Sequence, residues 1–280
     1  MTWITDNRIP IGAWAKQFVD WLTTSGGWFF DWLAFVLSHV IAGLLYVLQE
    51  PNPFVVVLAI TAIAFWLRRS ILVAVLTCLG LLLIMNQGYW KETTETLALV
   101  LASTFVSMVV GVPLGIAAAR RAWVYSFMRP ILDLMQTIPT FVYLIPALIL
   151  FGLGMVPGLI ATVIFAIPAP IRLTRLGIIS TPPSLVEAAE SFGATPMQVL
   201  RKVELPFAPP QIMAGLTQTI MLSLSMVVIS ALVGAAGLGV PVVRALNTVN
   251  VAKGFESGLC IVILAIILDR MFRTSAGDGV

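Results

Sequence analysis

Residue types that usually carry enzyme chemistry are scarce in this chain, and their spacing argues against catalysis. Its 280 residues include one histidine, His39, and two cysteines, Cys78 and Cys260. A lone histidine supports neither a zinc centre nor a histidine-based triad. Both cysteines sit inside apolar runs, where a thiol packs as a small hydrophobe rather than closing a disulfide. The stretch Gly234-Ala-Ala-Gly-Leu-Gly239 has the glycine density of a phosphate loop, but no Lys-Ser/Thr follows it. It reads instead as a close-packed turn at an outer gate, and the chain carries no Walker motif. Asp133 follows Arg129 by one helical turn and Asp269 precedes Arg273 by one, so each spacing predicts an i,i+4 surface pair.

Whatever chemistry remains is positioned by lipid-embedded elements. The chain is 59% hydrophobic and 10% charged, with a net charge of +3 and a mean hydropathy of +1.01. Soluble domains carry about 25% charged residues. Scattered basic residues suit topology determination and exclude a nucleic-acid footprint. Apolar runs occur at Trp28–Leu48, Phe54–Leu67, Ile71–Met85, Leu97–Ala119, Ile131–Leu153, Val156–Ile179, Ile212–Val233 and Gly258–Met271. Only helices are tenable in them, because an open backbone group in lipid costs several kcal/mol. The fold class is therefore an all-α integral membrane protein.

Basic residues orient it. Arg68/Arg69, Arg120/Arg121/Arg129, Arg172/Arg175, Arg201/Lys202 and Arg270/Arg273 fall on one side of a single alternating topology, against Lys91, Arg244 and Lys253 on the other. The positive-inside rule makes the first group, and the C-terminus, cytoplasmic. The N-terminus lacks the pattern of a cleavable signal. The first apolar run contains Asp31, Ser38 and His39, and tryptophans precede it. If it lies flat at the outer interface there are seven spans, and if it crosses there are eight; the flat arrangement is the expectation. The resulting organisation is an interfacial segment over 1–50, two accessory spans over 51–88, a core over 89–273 and a cytoplasmic tail over 274–280.

The longest polar stretch on the cytoplasmic side runs from Ser180 to Pro210. Ser184 with Glu187 three residues on predicts a capping box opening a helix over Leu185–Phe192, closed by Gly193. Thr195-Pro196 predicts a second helix reaching about Val203. Across this stretch Glu187-Ala188-Ala189, Gly193, Val203, Leu205 and Pro206 keep the spacing Glu-Ala-Ala, three residues, Gly, nine residues, branched apolar residue, any residue, Leu-Pro.

That motif resembles the coupling helix of type I ABC importer permeases. Within that family the chain is similar to permeases for glycine betaine, proline betaine and choline. The supporting segments are 129–139, 141–146, 168–173, 191–194, 221–228 and 261–270, and the compact N-terminal part is most like choline-system members. The resemblance implies a homodimer, docking of a dimeric ATPase subunit that holds ATP and magnesium, and a separate periplasmic receptor. It implies no cofactor on this chain, no enzymatic activity of its own, membrane lipid as its surroundings, and the inner membrane as its place.

A quaternary amine offers no N–H, so aromatic and polarisable side chains are the expected contacts along a weakly binding path. Met135, Gln136, Phe141 and Tyr143, near Pro139 and Pro146, and Gln218, Ser223 and Ser225 are the candidates. Helix packing for the apolar ones and interhelical hydrogen bonds for the others are the competing roles. An ion-coupled transporter would need charged groups at mid-span, and a membrane protease a catalytic pair; neither is found in the sequence. A sister importer for another small solute, such as an amino acid, remains the rival reading.

Overall fold

The computed structural model describes residues 10–273, so the expected tail at 274–280 lies outside the described residues. Each of the eight apolar runs forms helix. Helix α1 (Ile11–Gln49) is followed by a pair, α2 (Pro53–Arg68) and α3 (Ile71–Asn86), then by α4 (Trp90–Arg120). Next come α5 (Ala122–Thr137), α6 (Thr140–Phe151), α7 (Met155–Ala166) and α8 (Pro168–Ile179). A polar segment holds α9 (Pro183–Ser191), α10 (Pro196–Val199), a wide turn (Leu200–Glu204) and α11 (Leu205–Phe207). Helices α12 (Pro209–Ser230), α13 (Gly239–Asn247) and α14 (Val251–Phe272) complete the chain.

Five helical stretches among the described residues are long and apolar enough to cross a membrane, or six with the α5–α6 pair counted as one, while α2 and α3 are shorter. At 16 residues, α2 and α3 each reach about 24 Å, short of a hydrocarbon core of about 30 Å unless the bilayer thins or flanking residues extend them.

Helix α4 is the spine, packing on α7, α8 and α12. Small residues set how close these axes come. A Cβ on Gly111 would lie 2.7 Å from the Pro170 ring, and one on Gly115 would lie 2.7 Å from the Ile171 carbonyl oxygen. Lipid gives helices no hydrophobic reason to associate, so close backbone approach and dispersion do this work. Buried hydroxyls add to it: Ser103 Oγ lies 3.1 Å from Ser223 Oγ, and Thr162 Oγ1 lies 3.3 Å from Ser230 Oγ. Cys260 is buried in the main apolar cluster and Cys78 packs against it, both as free thiols.

The run Ile131–Leu153 is not one straight span. The helix begins earlier, at Ala122, and turns by 100° between α5 and α6. Pro139 is the cause: it drives Ile138 to φ −66°, ψ 131°, which stops α5. Pro146, by contrast, sits inside α6 without ending it. Helix α1 differs in length from its apolar run, extending unbroken from Ile11. Its first half exposes Trp14, Phe18, Trp21 and Trp28, while Leu37, Ile41 and Leu48 are buried against the bundle.

Candidate coupling surface and translocation path

The polar segment after α8 is an exposed device on a fixed mount. Pro182 and Pro183 start α9, which places Ser184 inside the first turn rather than at the cap, so the expected box between Ser184 and Glu187 does not form. A capping box forms instead at the next helix, where the Thr195 backbone N–H donates to Gln198 Oε1 over 2.7 Å. The end of α9 is as the sequence requires. Gly193 takes φ +77°, its N–H donates to the Glu190 carbonyl, and the Ala194 N–H reaches back to Ala189.

No residue of α9 is buried. Glu187, Ala188 and Gly193 are exposed, and Ala189 and Val203 are half-buried beside a 450 Å³ recess that Phe192, Gly193 and Lys202 also line. Phe192 is 93% exposed, a large apolar ring that nothing among the described residues covers. Leu205 turns inward onto the cluster of Ile178, Leu200 and Ala208, while Pro206 stays exposed. Pro206 lacks an N–H and crowds the carbonyl four residues back, which the wide turn just before it relieves.

One set of contacts attaches this segment to a span, and a second joins the two spans α8 and α5 beside it. Arg120, at the end of α4, donates to the Pro196 carbonyl over 2.9 Å and pairs with Glu204 at 3.3 Å. Arg172, on α8, pairs with Asp133 at 2.6 Å and donates to Gln136 Oε1 over 2.9 Å. Arg129 reaches Asp133 only at 3.9 Å, so the expected surface pair is the weaker side of a cross-helix network. One turn along α8, the Arg175 guanidinium lies 3.6 Å from the Tyr125 ring centre. Among the described residues no ion pair joins Asp269 to Arg273. Arg273 is the cap beyond α14, at φ −63°, ψ 121°, so it leaves the helical face on which an i,i+4 pair forms.

The seven path candidates separate into groups. Tyr143 is buried, and its hydroxyl donates to the Met135 carbonyl over 2.5 Å, bracing the bend above half-buried Met135. Gln136 is occupied by Arg172, and Phe141 is 56% exposed just past the bend. Ser223 is buried and serves helix packing through Ser103. Gln218 and Ser225 lie with Ala214 on one exposed face of α12. Gln218 also lines a 590 Å³ cavity with Met221, Asp269 and Arg273. The arginines that carry the contacts, at 120, 172 and 175, read in the sequence only as markers of topology. Only their place on the same side as the motif could have flagged them.

The exposed segment is fastened to α4 through Arg120, and comparison with known proteins shows the family of the chain. Residues 111–275 match the family model described as "Binding-protein-dependent transport system inner membrane component". The chain belongs to that family. This permease is 48% identical over 265 residues to the Glycine betaine transport system permease protein OpuAB of Bacillus subtilis (strain 168), covering 94% of the chain and 93% of the relative. It is 42% identical over 271 residues to the Glycine betaine/proline betaine transport system permease protein ProW of Escherichia coli (strain K12), covering 97% of the chain and 76% of the relative. A compact N-terminal part is thus shared with a relative named for glycine betaine. Among solved structures, the inward-facing MetNI methionine ABC transporter matches with TM-score 0.57 and 26% identity over 62% of this chain and 88% of that one. The permease accordingly has the type I ABC importer fold.

Proposed function

We propose that this chain is the membrane subunit through which an ATP-driven importer brings glycine betaine, proline betaine or choline across the inner membrane. The observation that carries the reading is identity of 48% along nearly the whole of a permease named for glycine betaine. A separate ATPase dimer, holding ATP and magnesium, docks on Glu187, Ala188, Ala189, Gly193 and the Val203–Pro206 end of the segment. A periplasmic receptor delivers cargo at the opposite end. Two copies of the chain face each other across the path, with Gln218 and Ser225 on the α12 face and Phe141 at the bend.

The N-terminal segment lies along the outer face in this reading. The Phe30 ring meets Phe151 at 5.7 Å, and Gln49 donates to Thr94 over 2.9 Å. Those two points of α1 are about 28 Å apart along its axis, yet both partners belong to the bundle end remote from the coupling segment. The C-terminus is cytoplasmic. Supporting this, Arg68 Nη1 donates to the Arg273 carbonyl, and Thr217 Oγ1 to that of Phe272, near the start of α12.

The test is uptake by the permease reconstituted with its ATPase and receptor. ATP-dependent entry of labelled glycine betaine or choline, with methionine excluded, is the expected result. Replacing Gly193 with Leu should abolish it while membrane insertion persists, because a left-handed non-glycine residue costs about 1–2 kcal/mol and the turn shapes the docking surface. Uptake of amino acids alone, or full activity in Gly193→Leu, would overturn the reading.

A further inference from the structure

At the opposite end of α4 from the coupling segment lies a basin of 660 Å³. Arg120 marks the coupling end of that helix, and Tyr89 and Lys91 mark the basin end, about 45 Å away. The walls come from the start of α4, the Gly234–Gly239 turn, α13 and the start of α14. A hydrogen bond from the Leu238 N–H to Thr96 Oγ1, at 2.8 Å, fixes the turn against α4.

The charges around this basin have an order. Glu92 and Glu95 are half-buried in it, whereas Lys91, Arg244 and Lys253 line it as exposed residues. None of these five takes part in an ion pair among the described residues, where all three pairs involve arginines at the coupling end. Tyr89 supplies an aromatic ring to the same wall. Its phenol titrates above its ordinary value, first because of burial and then because Glu256 and Glu92 place negative charge nearby. The recess is therefore negative and partly aromatic, and its rim is positive.

We propose that this basin is the entry subsite for a zwitterion, with Glu92, Glu95 and Tyr89 taking the quaternary ammonium and Lys91, Arg244 and Lys253 the carboxylate. The inference rests on the quaternary-amine reading and deepens it. An ammonium without N–H is held by field and by an aromatic face, both of which the recess offers. A carboxylate is held by the donors of lysine and the fork of arginine. Partial exposure keeps both attractions weak, as a hand-over point requires. The same charges could grip the receptor, but carboxylates recessed in a cavity favour a small ion over a protein surface.

The experiment uses the complete importer in proteoliposomes, with receptor loaded with labelled glycine betaine or choline. Glu92→Gln with Glu95→Gln should lower maximal uptake of both cargoes about tenfold at saturating receptor, leaving half-saturating receptor concentration and basal ATP hydrolysis unchanged. Arg244→Gln, at the rim, should slow glycine betaine and spare choline, which has no carboxylate. A raised half-saturating receptor concentration with full maximal uptake would overturn the proposal in favour of receptor docking. Unchanged kinetics in the double variant, or equal slowing of both cargoes by Arg244→Gln, would also overturn it. A wild-type importer that moves no quaternary amine would instead remove the reading beneath it.

Discussion

Arg172 joins two elements that the sequence separates, and magnitudes decide what its loss would do. Its side chain is 35% exposed and Asp133 is 54% exposed, so the pair contributes less than about 1 kcal/mol to stability. What it supplies is connection, because α8 leads directly into α9 while α5 leads into the bend beside Phe141. Arg172→Gln should therefore leave insertion and thermal stability near wild type, within about 1 kcal/mol, yet reduce uptake per ATP hydrolysed. Equal losses of uptake and hydrolysis would point to failed docking rather than failed transmission. Asp133 also illustrates what sequence spacing can hide. Its neighbour Arg129 lies at the favoured distance along one helix, but the shorter contact comes from α8. Long-range geometry of this kind leaves no periodic trace, and neither do the contacts of Arg120 with Pro196 and Glu204.

At the scale of helices, packing between α4 and α8 is held by absent side chains. Gly115→Leu would drive a Cβ to 2.7 Å from a backbone oxygen that no rotamer change can move. Overpacking of this sort costs about 1–3 kcal/mol or more, so a lowered unfolding temperature in detergent is expected. Gly43, with open space around its missing Cβ, should tolerate Ala without such a shift. The helices themselves were readable in advance, because hydrophobic runs of span length admit no other structure in lipid. Breaks within runs were less readable. Pro139 and Pro146 are both prolines in an apolar stretch, yet only the first turns the chain, with the Tyr143 hydroxyl bracing the bend. The site of the capping box was misread for a related reason: two prolines at 182 and 183 begin α9 ahead of Ser184. At Glu187–Pro206 one stretch of chain carries the whole motif, so its spacing is legible without the fold.

Across the molecule, charge is sorted by position. The coupling end concentrates arginines in structural pairs, and the far end keeps its acids and bases apart around an open basin. Between them runs α4, whose ends lie at the coupling segment and at the basin, so the proposed mechanism would pass a displacement from one to the other along this helix. The most direct measurement is site-directed crosslinking in membranes containing the assembled importer, after replacing Cys78 and Cys260 with Ala. Cysteine is introduced at Phe192, 93% exposed on the coupling segment, or at Leu246, 76% exposed at the opposite end. Docking requires Phe192→Cys to crosslink to the ATPase subunit and Leu246→Cys not to. Adducts from position 246 with none from 192 would contradict the coupling role of Glu187–Pro206, and with it the mechanism proposed for this permease.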